Sequence, residues 1–130
     1  MTVSNEPSRP RVLCVDDNTD TCELVQEALK EWNVTFDHTQ QEGLRSAASL
    51  SFNLILLDYR LPDGNGLDLC RRIRTFDVTT PILLITADHA LSHEEVIAVG
   101  GQGVIRKDRL GLMLPPAIAQ MLDLKLHGDM

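Results

Sequence analysis

From residue 10 onward, short apolar bursts that stop on charged or hydroxyl side chains alternate with segments of helical spacing. RVLCV (11–15) has the length and Val content of a buried strand and stops at Asp16-Asp17. Leu24, Val25, Ala28, Leu29 and Trp32 then recur on one helical face, which predicts a helix over about 20–32 with Asp20 and Glu23 spaced as its N-terminal cap pair. VTFDH (34–38) alternates as a strand, and QQEGLRSAASL (40–50) reads as a shorter helix. NLILLD (53–58) is apolar until its final acid, which suits a central strand covered on both faces. Leu61 to Gly66 is dense in turn formers, and Leu67, Cys70 and Ile73 open a helix that turns Arg71, Arg72 and Arg74 outward. PILLIT (81–86) is a fourth strand ending in a hydroxyl. Ser92 and Glu95 have capping-box spacing ahead of Val96, Ile97 and Val99, and Gly100-Gly101 closes that helix. GVIRK (103–107) is a fifth strand ending in a cation, and a last helix covers about 110–125, with Pro115-Pro116 marking either its first turn or a kink.

Five strands alternating with five helices predict one parallel sheet with helices on both faces, because right-handed crossovers leave few other solutions. The expected fold class is α/β, a flavodoxin-like five-stranded parallel sheet of order 2-1-3-4-5, over residues 10–126. Residues 1–9 and 127–130 are expected to be tails.

Composition narrows the function. Twelve Lys and Arg against nineteen Asp and Glu give a net charge of −7, which opposes binding to a phosphate backbone or an anionic leaflet. One Trp, one Tyr and three Phe leave little material for stacking bases. The longest apolar runs, Leu54 to Leu57 and Ile82 to Ile85, are far short of the roughly 20 residues of a membrane span. With no span or signal peptide in view, a cytoplasmic protein is expected, with no nucleic-acid or membrane partner. Cys14, Cys22 and Cys70 lack CxxC spacing and read as small core residues. The four histidines share no ligand spacing, and the Arg71, Arg72, Arg74 run reads as a solvated helix face.

The chemistry lies at the strand ends. In open α/β sheets the ligand crevice sits outside the carboxyl ends of the strands, and here those ends carry Asp16-Asp17, Asp58, Thr86 and Lys107. Each type suits a phosphoryl group. Carboxylates bind Mg2+ while leaving positions for phosphate oxygens, so Asp16 and Asp17 with Asp58 make a candidate half-shell for the metal. A carboxylate can attack phosphorus to give an aspartyl phosphate. An ammonium and a hydroxyl can compensate the equatorial oxygens of the transferring group. Taken singly, an Asp after a strand is a common turn or cap residue, Thr86 can cap a loop and Lys107 can be a solvated strand end. Their coincidence at four strand ends weighs against four separate structural roles.

VLCVDDN (12–18), LILLDYRLPDGNGLDLCRRIR (54–74), PILLITA (81–87) and VIRK (104–107) together resemble the response-regulator receiver domain of two-component signalling, from about Pro10 to Leu126. The resemblance implies that Asp58 is the phosphoacceptor, that Asp16 and Asp17 hold Mg2+, and that the backbone carbonyl of Arg60 completes the protein's metal ligands. It also implies that Thr86 and Lys107 bind the phosphoryl oxygens. Two positions depart from the family pattern. Val104 stands where an aromatic ring is usual, and Asp108 stands where Pro usually follows the Lys.

The expectation is therefore a stand-alone receiver, not an enzyme beyond slow self-dephosphorylation. It would take its phosphoryl group from a histidine kinase or histidine phosphotransfer protein and change its affinity for a downstream protein partner. The fourth and fifth helices with the fifth strand would form the docking face. A phosphorelay shuttle is the near alternative. An aspartate-dependent phosphatase usually carries a second acid two residues after its nucleophile, where this chain has Arg60. A flavin or nucleotide module lacks its glycine-rich loop after the first strand, and a degenerate scaffold is disfavoured by the complete acceptor set.

Overall fold

The computed structural model describes the backbone over residues 9–127 and the side chains over 9–121. Five parallel strands, β1 (Arg11–Val15), β2 (Asn33–Asp37), β3 (Leu54–Asp58), β4 (Ile82–Thr86) and β5 (Gly103–Arg106), form one sheet in the order β2-β1-β3-β4-β5. The expected topology is observed. Val15 pairs with Asp37 and Leu57, Asp58 with Ile85, and Thr86 with Arg106. Strands in that register end nearly level, so whatever follows each of them emerges at one edge of the sheet.

Five helices cover the sheet: α1 (Thr19–Ala28), α2 (Gln40–Ser49), α3 (Gly66–Ile73), α4 (His93–Ala98) and α5 (Leu110–His127). Strand parity decides which helix meets which side chain. Leu13, Val15, Ile55, Leu57, Ile82 and Leu84 pack against Ala47, Leu69, Cys70, Ile73 and Val96 of α2, α3 and α4. Val12, Cys14, Leu54, Leu56, Leu83, Ile85 and Ile105 pack against Val25, Leu110, Leu114 and Ile118 of α1 and α5. Burial on both faces is why β1, β3 and β4 read as unbroken apolar runs. Each fully buried Leu or Ile contributes about 1.5–3 kcal/mol.

Helix starts are set by local caps. Asn18, Thr39 and Asn65 accept from backbone N–H groups in the first turns of α1, α2 and α3, and the expected Ser92–Glu95 capping box opens α4. Four expectations need correction. The α1 cap is Asn18, with Asp20 inside the first turn in place of a cap pair with Glu23. The helix also ends at Ala28, because Asn33 must already donate to Pro10 O to start β2 beside β1. Leu24 and Ile97 are about half exposed in place of facing the core. Arg74 does not point into solvent with Arg71 and Arg72. Its Nε donates to Gly100 O at 3.0 Å, Nη1 to Asp77 O at 2.8 Å and Nη2 to Thr80 O at 2.8 Å.

Pro115 and Pro116 lie inside α5, beyond its first turn. They leave the carbonyls of Gly111 and Leu112 without helical donors, and both of those residues are exposed, so water can serve them. The thiols are free, with Cys14 and Cys70 buried as expected and Cys22 half-buried. No helix among the described residues is long and apolar enough to cross a membrane. The tails expected over 1–9 and 127–130 lie outside the described residues, apart from Arg9 and His127.

Candidate functional site

Asp16 and Asp17 follow β1, Asp58 ends β3, Thr86 ends β4, and Lys107 follows β5 in a 3-10 turn over Lys107–Arg109. All five meet at the carboxyl edge of the sheet. Asp16, Asp58 and Thr86 are buried there, while Asp17 is exposed. Carboxylate oxygens of Asp16, Asp17 and Asp58 lie within 4.8 Å of one another. The Lys107 ammonium reaches across them, with Nζ 3.0 Å from Asp16 Oδ2 and 3.3 Å from Asp58 Oδ2. A cleft of about 610 Å³ opens over this group, walled by Asp17, Asn18, Arg60, Pro62, Ala87 and Asp88.

Neighbouring backbone holds the acids in place. Asp16 N donates to Asp37 O at 2.9 Å, and its Oδ1 accepts from Asn18 N at 2.8 Å. His38, exposed just past β2, sets Nδ1 3.0 Å from Asp16 O. Gly66 lets the loop after β3 fold back onto the acceptor strand. A Cβ there would stand 2.4 Å from the backbone oxygen of Asp58, and Gly66 N donates to Tyr59 O at 2.8 Å. The two-residue strands Arg60–Leu61 and Gly64–Asn65 turn that loop into a small antiparallel hairpin. Asp63 then fastens it to α2, accepting from Gln40 N at 2.6 Å and Gln41 N at 3.0 Å. The sequence marked Asp63 only as a turn former. Its spacing to residue 40 carries no local signal.

The electrostatics of the pocket are unbalanced. Burial, and then the charge of Asp16, raise the Asp58 carboxyl from 3.8 to about 6, against the pull of Lys107. Burial pushes the Lys107 ammonium down, but its close ion pair with the Asp16 carboxylate, followed by that with Asp58, outweighs that and leaves it above its usual value. Burial also raises the Cys22 thiol, which keeps it protonated and unreactive. Asp16 Oδ2 is buried and accepts no well-aligned hydrogen bond among the described residues, although the Lys107 charge stands beside it. An orphaned buried carboxylate oxygen beside two further carboxylates is an oxygen-only donor set, which fits a hard divalent cation such as Mg2+.

Around the pocket run two contacts absent from the sequence reading. Arg60 Nη2 pairs with Asp88 Oδ2 at 2.5 Å, and Asp88 N donates to Thr86 Oγ1 at 2.8 Å. Val104, at the position of the family's aromatic ring, is half-buried against the α2–α3–α4 side of the core.

A doubly wound parallel sheet with this acidic pocket at its carboxyl edge defines a CheY-like receiver. Residues 12–112 match the response regulator receiver domain, and the chain belongs to that family, the receivers of two-component signalling. Among its relatives, the transcriptional regulatory protein TrcR of Mycobacterium tuberculosis is 40% identical over 79 residues, 59% of this chain and 31% of that protein. The response regulator ArlR of Staphylococcus saprophyticus is 39% identical over 79 residues, 59% of this chain and 36% of that protein. The chain thus spans about a third of the length of these curated relatives. The BeF3-activated receiver domain of DrrB, a Thermotoga maritima protein, superposes with a TM-score of 0.79 at 23% identity, covering 88% of this chain and 98% of that one. At that identity the likeness establishes the fold.

Proposed function

We propose that Asp58 accepts a phosphoryl group from a histidine kinase or a histidine phosphotransfer protein, and that the modified domain changes its binding to a protein partner. The observation that carries this reading is the placement of Asp58, nearly buried at the end of the central strand, with Lys107 Nζ at 3.3 Å and two further aspartates beside it. An Asp58 oxygen attacks phosphorus, the P–N bond to the donor imidazole breaks, and its electron pair stays on the ring nitrogen, which takes up a proton. Lys107 supplies positive charge to the phosphoryl oxygens, and the Thr86 hydroxyl donates to one of them. Asp16 and Asp17, with the Arg60 carbonyl, would hold Mg2+, which when bound supplies charge neutralisation for the three acids and the incoming phosphoryl group. Asp58 is the nucleophile in its ionised form, so acceptance should weaken at low pH, and with Mg2+ bound it should do so below the value of about 6 that burial and Asp16 impose on the metal-free carboxyl.

Incubation with acetyl phosphate and Mg2+ should add one phosphoryl group by mass, and Asp58→Asn should abolish it. Continued labelling of that variant on another aspartate would sink the assignment. Output through protein docking, and not through DNA contact by this domain, is supported by the net charge of −7. Salt-sensitive binding to random duplex would overturn it. A relay to a histidine phosphotransfer protein is favoured by one specific feature. Val104 packs on the core, is stiff at χ1 and is too short to gate a surface groove, so transfer itself can be the output.

A further inference from the structure

The Arg60–Asp88 ion pair joins the loops that follow β3 and β4 across the mouth of the acidic cleft. Each partner lies two residues beyond a pocket side chain, Arg60 after Asp58 and Asp88 after Thr86. Asp88 is also the fastener of its own loop. Its backbone N–H donates to Thr86 Oγ1 at 2.8 Å, its Oδ1 accepts from Ala90 N at 2.8 Å, and its Oδ2 takes the guanidinium. Those bonds, the Ala90 amide first and Arg60 next, hold the Asp88 carboxyl below its usual range. The Arg60 side chain is 76% exposed and its carbon lies 5.6 Å from the Tyr59 ring centroid, so it can turn toward the cleft without unpacking the core.

We propose that the Arg60 guanidinium is the charge sensor of the pocket: when Asp58 carries a phosphoryl group, it leaves Asp88 for the phosphoryl oxygens, and the released Asp88 frees residues 87–90 and the first turn of α4. The idea rests on Asp58 being the acceptor. The driving force is a difference of charge and geometry. A phosphoryl group carries more negative charge than one carboxylate and offers three oxygens to a planar fork of donors. A single ion pair whose guanidinium stands mostly in solvent holds only weakly against such a competitor. This partner exchange gives the domain a polar route from the pocket to its surface.

Backbone amide spectra of the full chain with Mg2+, before and after beryllofluoride, test this. In the wild type, the amides of Asp58 and Lys107 and those from Ala87 to Leu91 should all move. In Asp88→Asn without beryllofluoride, the amides from Ala87 to Leu91 should already lie near the wild-type beryllofluoride positions, and adding beryllofluoride should shift them little further. Arg60→Gln, read only without beryllofluoride, should show the same released loop. A wild-type loop that stays still while Asp58 and Lys107 shift would overturn the sensor alone, as would a loop in Asp88→Asn that keeps the free wild-type positions and moves fully on addition. No shift at Asp58 or Lys107 in the wild type would overturn the acceptor assignment and the sensor with it.

Discussion

The two edges of the sheet treat their polar groups in opposite ways. At the amino edge, Arg74 serves the carbonyls of Gly100, Asp77 and Thr80, and Asp77 in turn accepts from the backbone and hydroxyl of Thr80 and from the backbone of Thr79. Gln102 Oε1 accepts from Ile82 N at 2.6 Å. At the carboxyl edge, three aspartates crowd one lysine, an oxygen of Asp16 lacks a well-aligned donor, and the Asp58 carboxyl is pushed up to about 6. At the amino edge the half-buried polar groups that hold the fold find their partners. At the carboxyl edge the buried acids are left with a deficit of partners, which the proposed cation and phosphoryl group would fill.

The largest effect that can break this contrast is at the amino edge. Arg74→Ala removes three charge-assisted bonds and strands their carbonyls, and should cost about 3 kcal/mol in urea unfolding, with little dependence on Mg2+. A loss that Mg2+ restores would erase the distinction between the edges.

A smaller change of opposite sign is expected at Asp58. Its folded value of about 6 exceeds its unfolded value near 3.8, so the folded chain holds that proton more tightly. The ionised group therefore destabilises the fold fully above about pH 6, and the effect disappears as pH falls toward 4. Asp58→Asn should raise stability without Mg2+ by about 1–2 kcal/mol at pH 8, discounted for water in the open cleft. The difference from wild type should shrink through pH 6 to near zero at pH 4. A constant difference across that range would show that the pocket is not electrostatically strained.

The smallest effect concerns the ion. Mg2+ at several times its Kd should stabilise the wild type by about 1 kcal/mol, read as a rise of a few degrees in Tm. Asp17→Asn should remove most of that rise, while Arg74→Ala should keep it. An unchanged wild-type Tm would count against a cation in the pocket.

Most of the fold, and the side chains gathered at the carboxyl edge, could be read from local signals. Apolar runs of strand length ended on Asp16, Asp58, Thr86 and Lys107, and a parallel sheet must bring such ends to one edge. The Ser92–Glu95 box and the turn before α3 were equally local. The contacts that tune and fasten the site were not. Arg60 finds Asp88 across 28 positions of chain, Asp63 reaches Gln40 across 23, and Arg74 reaches Gly100 across 26. In the sequence nothing local marks the side chains of Arg60, Asp63 and Arg74 for these contacts.

Amphipathic periodicity was also an incomplete guide to exposure. Leu24 and Ile97 sit beside inward-facing Val25 and Val96, and their exposure is decided by how the helices rotate against the sheet. The end of α1 at Ala28 follows from the register of β2 on β1, a pairing no window of twelve residues contains. By itself, the sequence determined the element order, the two-sided core and the chemical types at the strand ends, because each follows from neighbouring residues and the period of the backbone. Tertiary structure alone decided which charges are paired, which oxygen is left without a donor and where the loop after Thr86 is tied, because those depend on distances between residues far apart in the chain.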